Sequence, residues 1–213
     1  MNIYALSSGR GPSGIAIVRI SGKNTLKVCK NLTKLKDINS NEVNYCKFYD
    51  PKNNCVIDPE ALLLWFPGPN SYTGEDLAEF QVHGSNAVIN ALLKALSEQE
   101  NCRLAEPGEF TKLAFQNDKI DLLKAESIGD LIHAETEMQR QQAVKLVQGN
   151  ASNYYNDLRE KLIKSLSYIE AKIDFAEDDL PEKVLKEVHN SIKEIHKDIH
   201  KICLLYTSPS PRD

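Results

Sequence analysis

The sequence predicts an α+β chain: an N-terminal mixed α/β region followed by part of an all-α domain. Three observations predict it. Runs rich in β-branched and aromatic residues recur before about residue 117, at Ile15–Ile20, Val56–Phe66 and Leu77–Val82. Apolar residues at helical spacing alternate with them, over 24–32 and 86–96. From about Asp118 the strand signal stops and long helical periods take over. The last of these places Val188, Ile192, Ile195, Ile199 and Ile202 at heptad spacing, the pattern of a helix that packs on another helix. With 213 residues, 41% of them hydrophobic, the chain can bury one large core or two small ones.

Taken in order, Ile3–Leu6 is a short strand and Ile15–Ile20 a stronger one. Residues 24–32 put Leu26, Val28, Cys29 and Leu32 on or near one helical face. Val43–Tyr49 and Val56–Phe66 read as a hairpin around the polar turn Asp50-Pro-Lys-Asn-Asn54. Leu77–Val82 is the next strand. Ser85 is a plausible N-cap for an amphipathic helix over Asn86–Leu96. Pro107-Gly108 opens a short helix that carries Phe110, Leu113, Ala114 and Phe115. A first long helix is expected from about Asp121 to Gln148, stopped by Gly149. A second is expected over about Ser152–Ile173, then an acidic break over Phe175–Pro181, then a third helix from Pro181. Three helices with narrow stripes make a thin bundle that wants further helices. The last ten residues, 204–213, do not continue the heptad and read as a non-native tail. The domain boundaries are therefore expected at 1–117, 118–203 and 204–213.

Net charge is −4, carried by residues 118–213, while 1–117 are neutral. Neither part is the basic block that grips nucleic acid by its phosphates, so this part alone should hold RNA weakly. The five cysteines form no Cys-x-x-Cys pair and read as reduced thiols of a cytosolic protein. Residues 1–9 lack a charged start and apolar run, and the longest apolar run, Ala61–Phe66, is too short to span a bilayer. A soluble, cytoplasmic protein is expected.

Few constellations carry chemistry. Gly9-Arg-Gly-Pro-Ser-Gly14 fits G-x-G-x-x-G, but strand formers follow it where a dinucleotide site needs a helix. A glycine turn between strands, or a backbone lip over a ligand, fits better. Arg19 shares a strand face with Ile15 and Ile17, so its charge needs an anionic partner: an edge position, a structural ion pair or a ligand. Glu79, Gln81 and His83 stand in line on the Leu77 face, opposite Ala78, Phe80 and Val82. A carboxylate there can pair bidentately with the 2-amino and ring N–H edge of a pterin or guanine. A solvated edge strand explains Glu79 equally well, and His83 before Gly84 reads as a satisfied turn histidine. Lys119 lies at the junction of the two regions, where a lysine is either solvated or meets a ligand carboxylate. His196 and His200 have metal-capable spacing but no completing ligands, and Asp174, Glu177, Asp178 and Asp179 lack the spacing of a calcium loop. No G-x-x-x-x-G-K-[ST] occurs, so the residues present form no P-loop.

Several segments together resemble one family. They are Gly9-Arg-Gly-Pro-Ser-Gly-Ile-Ala-Ile-Val-Arg-Ile-Ser-Gly22, Phe66-Pro-Gly-Pro-Asn-Ser-Tyr-Thr-Gly-Glu-Asp-Leu-Ala-Glu-Phe-Gln-Val-His-Gly84 and Pro107-Gly-Glu-Phe110. Phe115-Gln-Asn-Asp-Lys-Ile-Asp-Leu-Leu-Lys-Ala-Glu126, Asp130-Leu-Ile132 and Ile169-Glu-Ala-Lys-Ile-Asp-Phe175 complete the set. The chain resembles, over roughly residues 3–202, the front end of the tRNA wobble-uridine modification GTPases, the MnmE or TrmE family. The resemblance implies an N-terminal domain similar to folate-dependent aminomethyltransferases, which binds 5-formyl- or 5,10-methylene-tetrahydrofolate and forms a homodimer. It implies that the helices are the first part of a split helical domain, ahead of an inserted GTPase domain whose GTP, magnesium and potassium sites are absent here. It implies a flavin-dependent partner, with which the family adds an aminomethyl-type group to C5 of the wobble uridine of tRNA. Arg19, Glu79 and Lys119 fall on the family's folate-contacting positions, with Glu79 on the pterin edge and no residue required as a general acid or base. Two competing expectations are a stand-alone folate-dependent methyl- or aminomethyltransferase and a ligand-free helical scaffold.

Overall fold

The computed structural model describes residues 1–9, 11–174 and 182–206, and its contacts divide into two units, parted between Ala125 and Glu126. The chain is mixed α+β, as expected. The first unit is built on strands β1 (Asn2–Leu6), β2 (Ser13–Ser21), β3 (Val43–Tyr49), β4 (Val56–Phe66), β5 (Leu77–Gly84) and β6 (Cys102–Leu104). Helices α1 (Thr25–Thr33), α2 (Asn86–Ser97) and α3 (Glu109–Gln116) interleave with them. The six strands form one sheet in the order β3-β4-β5-β2-β1-β6. β6 pairs parallel to β1 and the other ladders are antiparallel. The sequence shows no strand at β6, because three residues are too few for alternation to register.

Alternation decides which face is buried. Ala16, Val18 and Ile20 of β2 and Ala78, Phe80 and Val82 of β5 all point to one side and are buried. Val28, Cys29 and Leu32 of α1 and Leu92, Ala95 and Leu96 of α2 close over that side. Phe80 is the hub, fully buried, with its ring 5.1 Å from that of Phe48. The expected cap of α2 is present: Ser85 accepts a hydrogen bond from the Val88 N–H. Gly22 is irreplaceable at the end of β2, since its φ is 143° and an added Cβ would lie 2.7 Å from Asn2 Cα.

The expected helix over Asp121–Gln148 is instead two helices, α4 (Leu122–Ile132) and α5 (Glu137–Val147). The break is chemical. Thr136 accepts from the Gln139 N–H at 3.3 Å, and Gln139 Oε1 accepts from the Thr136 N–H at 2.9 Å, a capping box that starts a new helix. Gly149, at φ 86°, stops α5 as expected. In the second unit α6 (Asn150–Asp174) packs on α7 (Glu182–Tyr206), burying Leu158, Val188 and Ile195. Leu162, Leu166, Ile192 and Ile199 stay more than a third exposed, as narrow stripes imply. The expected acidic break at 175–181 and residues 207–213 lie outside the described residues. α7 runs without interruption across the expected boundary at 203.

Phe80→Ala should destabilise the first unit by about 3–5 kcal/mol, read as a lowered urea midpoint at unchanged slope. Thr136→Ala should remove one side of the capping box and cost about 1 kcal/mol of helix stability, seen as local loss of amide-exchange protection at the start of α5.

Candidate functional site

The opposite face of the sheet carries the polar groups. The ladders place Leu64, Glu79 and Arg19 in one cross-strand row and Leu62, Gln81 and Ile17 in the next. Neither β2 nor β5 is an edge strand, so the edge-strand explanations for Arg19 and Glu79 fall away. The two side chains bind each other. Arg19 Nε and Nη2 donate to Glu79 Oε1 at 3.0 and 2.7 Å, with the side chains 27% and 19% exposed. Both bonds fall on one oxygen, Oε1.

Aromatic rings frame the guanidinium. Its carbon lies 5.5 Å from the centre of the Tyr72 ring and 5.6 Å from that of Phe110, within cation–π range. Tyr72 comes from the Pro/Gly loop between β4 and β5, which folds over the sheet end. Thr73, in the same loop, is fully buried, and its hydroxyl bonds Ser21 Oγ at 2.7 Å. Asn117 Nδ2 donates to the Thr73 carbonyl at 2.7 Å, and Tyr72 and Thr111 share a hydroxyl contact at 3.0 Å. Phe110 is aimed by the start of α3, where Glu109 accepts from Arg103 and from the Glu106 N–H. The Arg103 hydrogen bond holds the Glu109 carboxyl below its ordinary range.

Lys119 reaches the same loop. Its backbone N–H bonds the Ala114 carbonyl at 2.8 Å, at the end of α3. An added Cβ on Gly74 would lie 3.3 Å from Lys119 Cε and 3.0 Å from Asn117 Cβ, and the φ of Gly74 is 79°. Glycine at 74 therefore makes room for the lysine stem. Of the three expected site residues, Arg19 and Glu79 are in direct contact, and Lys119 stands by Gly74, two residues along from Tyr72. Sequence reasoning did not single out Tyr72, and it named Phe110 as a helix residue and as the end of the Pro107-Gly-Glu-Phe110 segment, with no site role. The available signal was their place in the segments Phe66–Gly84 and Pro107–Phe110, which carry the family resemblance.

Further along the same face, His83 Nδ1 lies 3.0 Å from both oxygens of Asp58, which is fully buried while His83 is 61% exposed. The Asp58 carboxylate also accepts from the backbone N–H groups of His83, at 2.8 Å, and Glu60, at 3.1 Å. His83 is thus a satisfied histidine, with Asp58 as the partner that the sequence did not show.

Burial pushes the Cys29 thiol up and that of Cys46 up to about 11, so neither is a nucleophile at neutral pH. The His196 and His200 rings lie nearly parallel with centroids 6.2 Å apart, and among the described residues no group of three metal-binding side chains occurs. Gly14 leads into β2 and not into a helix, which excludes a dinucleotide turn there. Phe110 also lines a cleft of about 700 Å³ with Ser7, Ser8, Asn86, Asn90 and Glu106. No helix among the described residues is long and apolar enough to cross a membrane.

Comparison with known proteins identifies the family. Residues 2–119 match the family model described as GTP-binding protein TrmE N-terminus, and residues 122–208 match the MnmE helical domain. The second match takes in the first residues of the stretch expected to be a non-native tail. The chain is 57% identical over 202 residues to the tRNA modification GTPase MnmE of Pelagibacter ubique, covering 95% of this chain and 45% of that protein. It is 45% identical over 197 residues to that of Rickettsia prowazekii, covering 92% and 44%. It is 42% identical over 206 residues to the mitochondrial tRNA modification GTPase of Dictyostelium discoideum, covering 93% and 40%. The chain therefore spans less than half the length of these relatives. With both of its units matched in order, the chain belongs to the MnmE (TrmE) family.

Proposed function

We propose that this chain is the N-terminal part of a cytoplasmic tRNA modification GTPase, whose first unit binds a tetrahydrofolate one-carbon donor and forms a homodimer. With a flavin-dependent partner, the whole protein would add an aminomethyl-type group to C5 of the wobble uridine of tRNA. GTP, magnesium and potassium would act in segments outside these residues, which contain no P-loop motif. The observation that carries the reading is the Arg19–Glu79 pair beside Tyr72 and Phe110.

The residues fit such a ligand. A pterin is flat, apolar on its faces and rich in donors and acceptors on its rim. Tyr72 and Phe110 supply aromatic faces. The Glu79 carboxylate accepts from the 2-amino and ring N–H edge, while Arg19 holds it through Oε1. Arg19 and Lys119 meet carbonyl or anionic parts of the ligand. A bound 5-formyl- or 5,10-methylene-tetrahydrofolate would supply the one-carbon unit. The chain's own groups hold and orient it.

Titration with 5-formyltetrahydrofolate tests the reading. Glu79→Ala should weaken binding by about 1.5–3 kcal/mol, roughly 10- to 150-fold, the effect of losing a charged hydrogen-bond acceptor. Equal affinity in the variant would remove Glu79 from the site. Lys119→Gln should weaken binding by less than about 1 kcal/mol, because Lys119 is exposed and its charge is screened.

A further inference from the structure

The His83–Asp58 dyad lies outside the site just described, yet on the same sheet face. His83 is four residues beyond Glu79 on β5, about 13 Å away at strand rise. Between them runs the row of Leu62, Gln81 and Ile17, half-buried and mostly apolar. The dyad borders a cleft of about 140 Å³ lined by Gly14, Ile15, Glu60, Leu62 and Gln81. The β2–β5 register shifts between Ser13 and Ala16, so the backbone bulges at Gly14–Ile15, across from His83. The strand end is tightly closed behind it: an added Cβ on Gly84 would lie 2.6 Å from the Ser13 carbonyl oxygen.

Two backbone N–H groups already satisfy the buried Asp58 carboxylate as a structural tie. The imidazole is an additional partner. With Nδ1 bound to Asp58, the free nitrogen of the exposed ring is Nε2. A protonated ring has its charge compensated by Asp58 through Nδ1–H, and its Nε2–H is then a charge-assisted donor for an incoming anion.

We propose that His83, held by Asp58, is the carboxylate-binding end of the ligand site that begins at Arg19 and Glu79. The ligand it implies is elongated, with a flat heteroaromatic head, an aromatic middle and a glutamyl carboxylate, the build of a reduced folate; this rests on the function proposed above. The head pairs with Glu79, the benzoyl ring lies on the Leu62–Gln81–Ile17 row, and the glutamate reaches Nε2 of His83. Lys119, at the Gly74 end, serves the head. Glu60, exposed and facing the same cleft, opposes the anion.

The test is a pair of titrations of the chain, with 5-formyltetrahydrofolate and with 5-formyltetrahydropteroate, which lacks glutamate. The glutamyl form should bind the wild type at least about tenfold tighter, one charged hydrogen bond's effect. His83→Gln should erase that difference while leaving affinity for the pteroate unchanged. Glu60→Gln should widen it. Asp58→Asn, which keeps the shape and one of the two oxygens that accept from backbone N–H groups, should shrink it and serves as the second variant, with melting curves confirming the fold. Equal wild-type affinity for the two ligands overturns the proposal, as does a difference that survives in His83→Gln or that vanishes in Lys119→Gln instead. In those cases the folate site at Glu79 stands. Failure of the wild type to bind either ligand overturns the folate reading and this proposal with it.

Discussion

The pairing register of β2 with β5 is the constraint on which the first unit depends. Strand side chains alternate, so setting Arg19 opposite Glu79 also sets Val18 opposite Phe80 and Ile20 opposite Ala78. A slip of one residue would turn the slipped strand's charge into the core and its apolar row into solvent. Magnitudes show which interaction holds the register. Burying a side chain such as Val18, Ile20 or Phe80 contributes about 1.5–3 kcal/mol. A cross-strand charge pair contributes roughly 0.2–1 kcal/mol. The core holds the register, and the Arg19–Glu79 pair is carried by it. Site chemistry and fold stability are therefore largely separable here: the charged row can change without unfolding the sheet, while Phe80 cannot.

The polar face is graded along its length by what covers it. At the end near Leu77 the Pro/Gly loop buries Ser21 and Thr73 against each other. One row on, Arg19 and Glu79 are partly covered, beside the rings of Tyr72 and Phe110. Further still, Gln81 is half-buried, and His83 stands mostly in water above a buried aspartate. The gradient runs from rigid and dry to open and polar. A flat head group gains most from the first environment, since charge-assisted bonds strengthen as water is excluded. A flexible charged tail loses least in the second.

Much of the fold was legible in the sequence, because period-two alternation over 15–20 and 77–83 states which residues share a face. The split of Arg19, Glu79, Gln81 and His83 from the apolar rows follows from that alone. What the letters did not show is partnership. Arg19 and Glu79 are sixty positions apart, and nothing local says that their strands are neighbours or that both are interior. Asp58 was invisible for the same reason: an acidic residue in Val56-Ile-Asp-Pro-Glu60 gives no hint of the imidazole it will meet. The α4–α5 break is different. Thr136-Glu-Met-Gln139 is a readable capping box, but the apolar stripe from Leu122 to Ile132 and the stop at Gly149 suggested one continuous helix. The local hydrogen-bond signal outranked the periodic one, because a Thr side chain bonding the chain at its own N-terminus ends any helix that would pass through it.

The two units differ in how fully their apolar surface is used, and that bears on where function can sit. In the first unit the sheet and two helices enclose a continuous core, so its exposed face can hold half-buried charges in fixed geometry. In the second, α6 and α7 bury Leu158, Val188 and Ile195 but leave Ile192 and Ile199 at 43% and 44% exposed. A two-helix contact uses one edge of a heptad stripe and leaves the other to solvent. Positioning a ligand to a fraction of an ångström needs side chains locked by packing on a rigid element. The sheet face of the first unit meets that requirement through its interior strands, its braced loop and its buried aspartate, which is why Arg19, Glu79 and His83 lie on it, with Tyr72, Phe110 and Lys119 on the segments beside it.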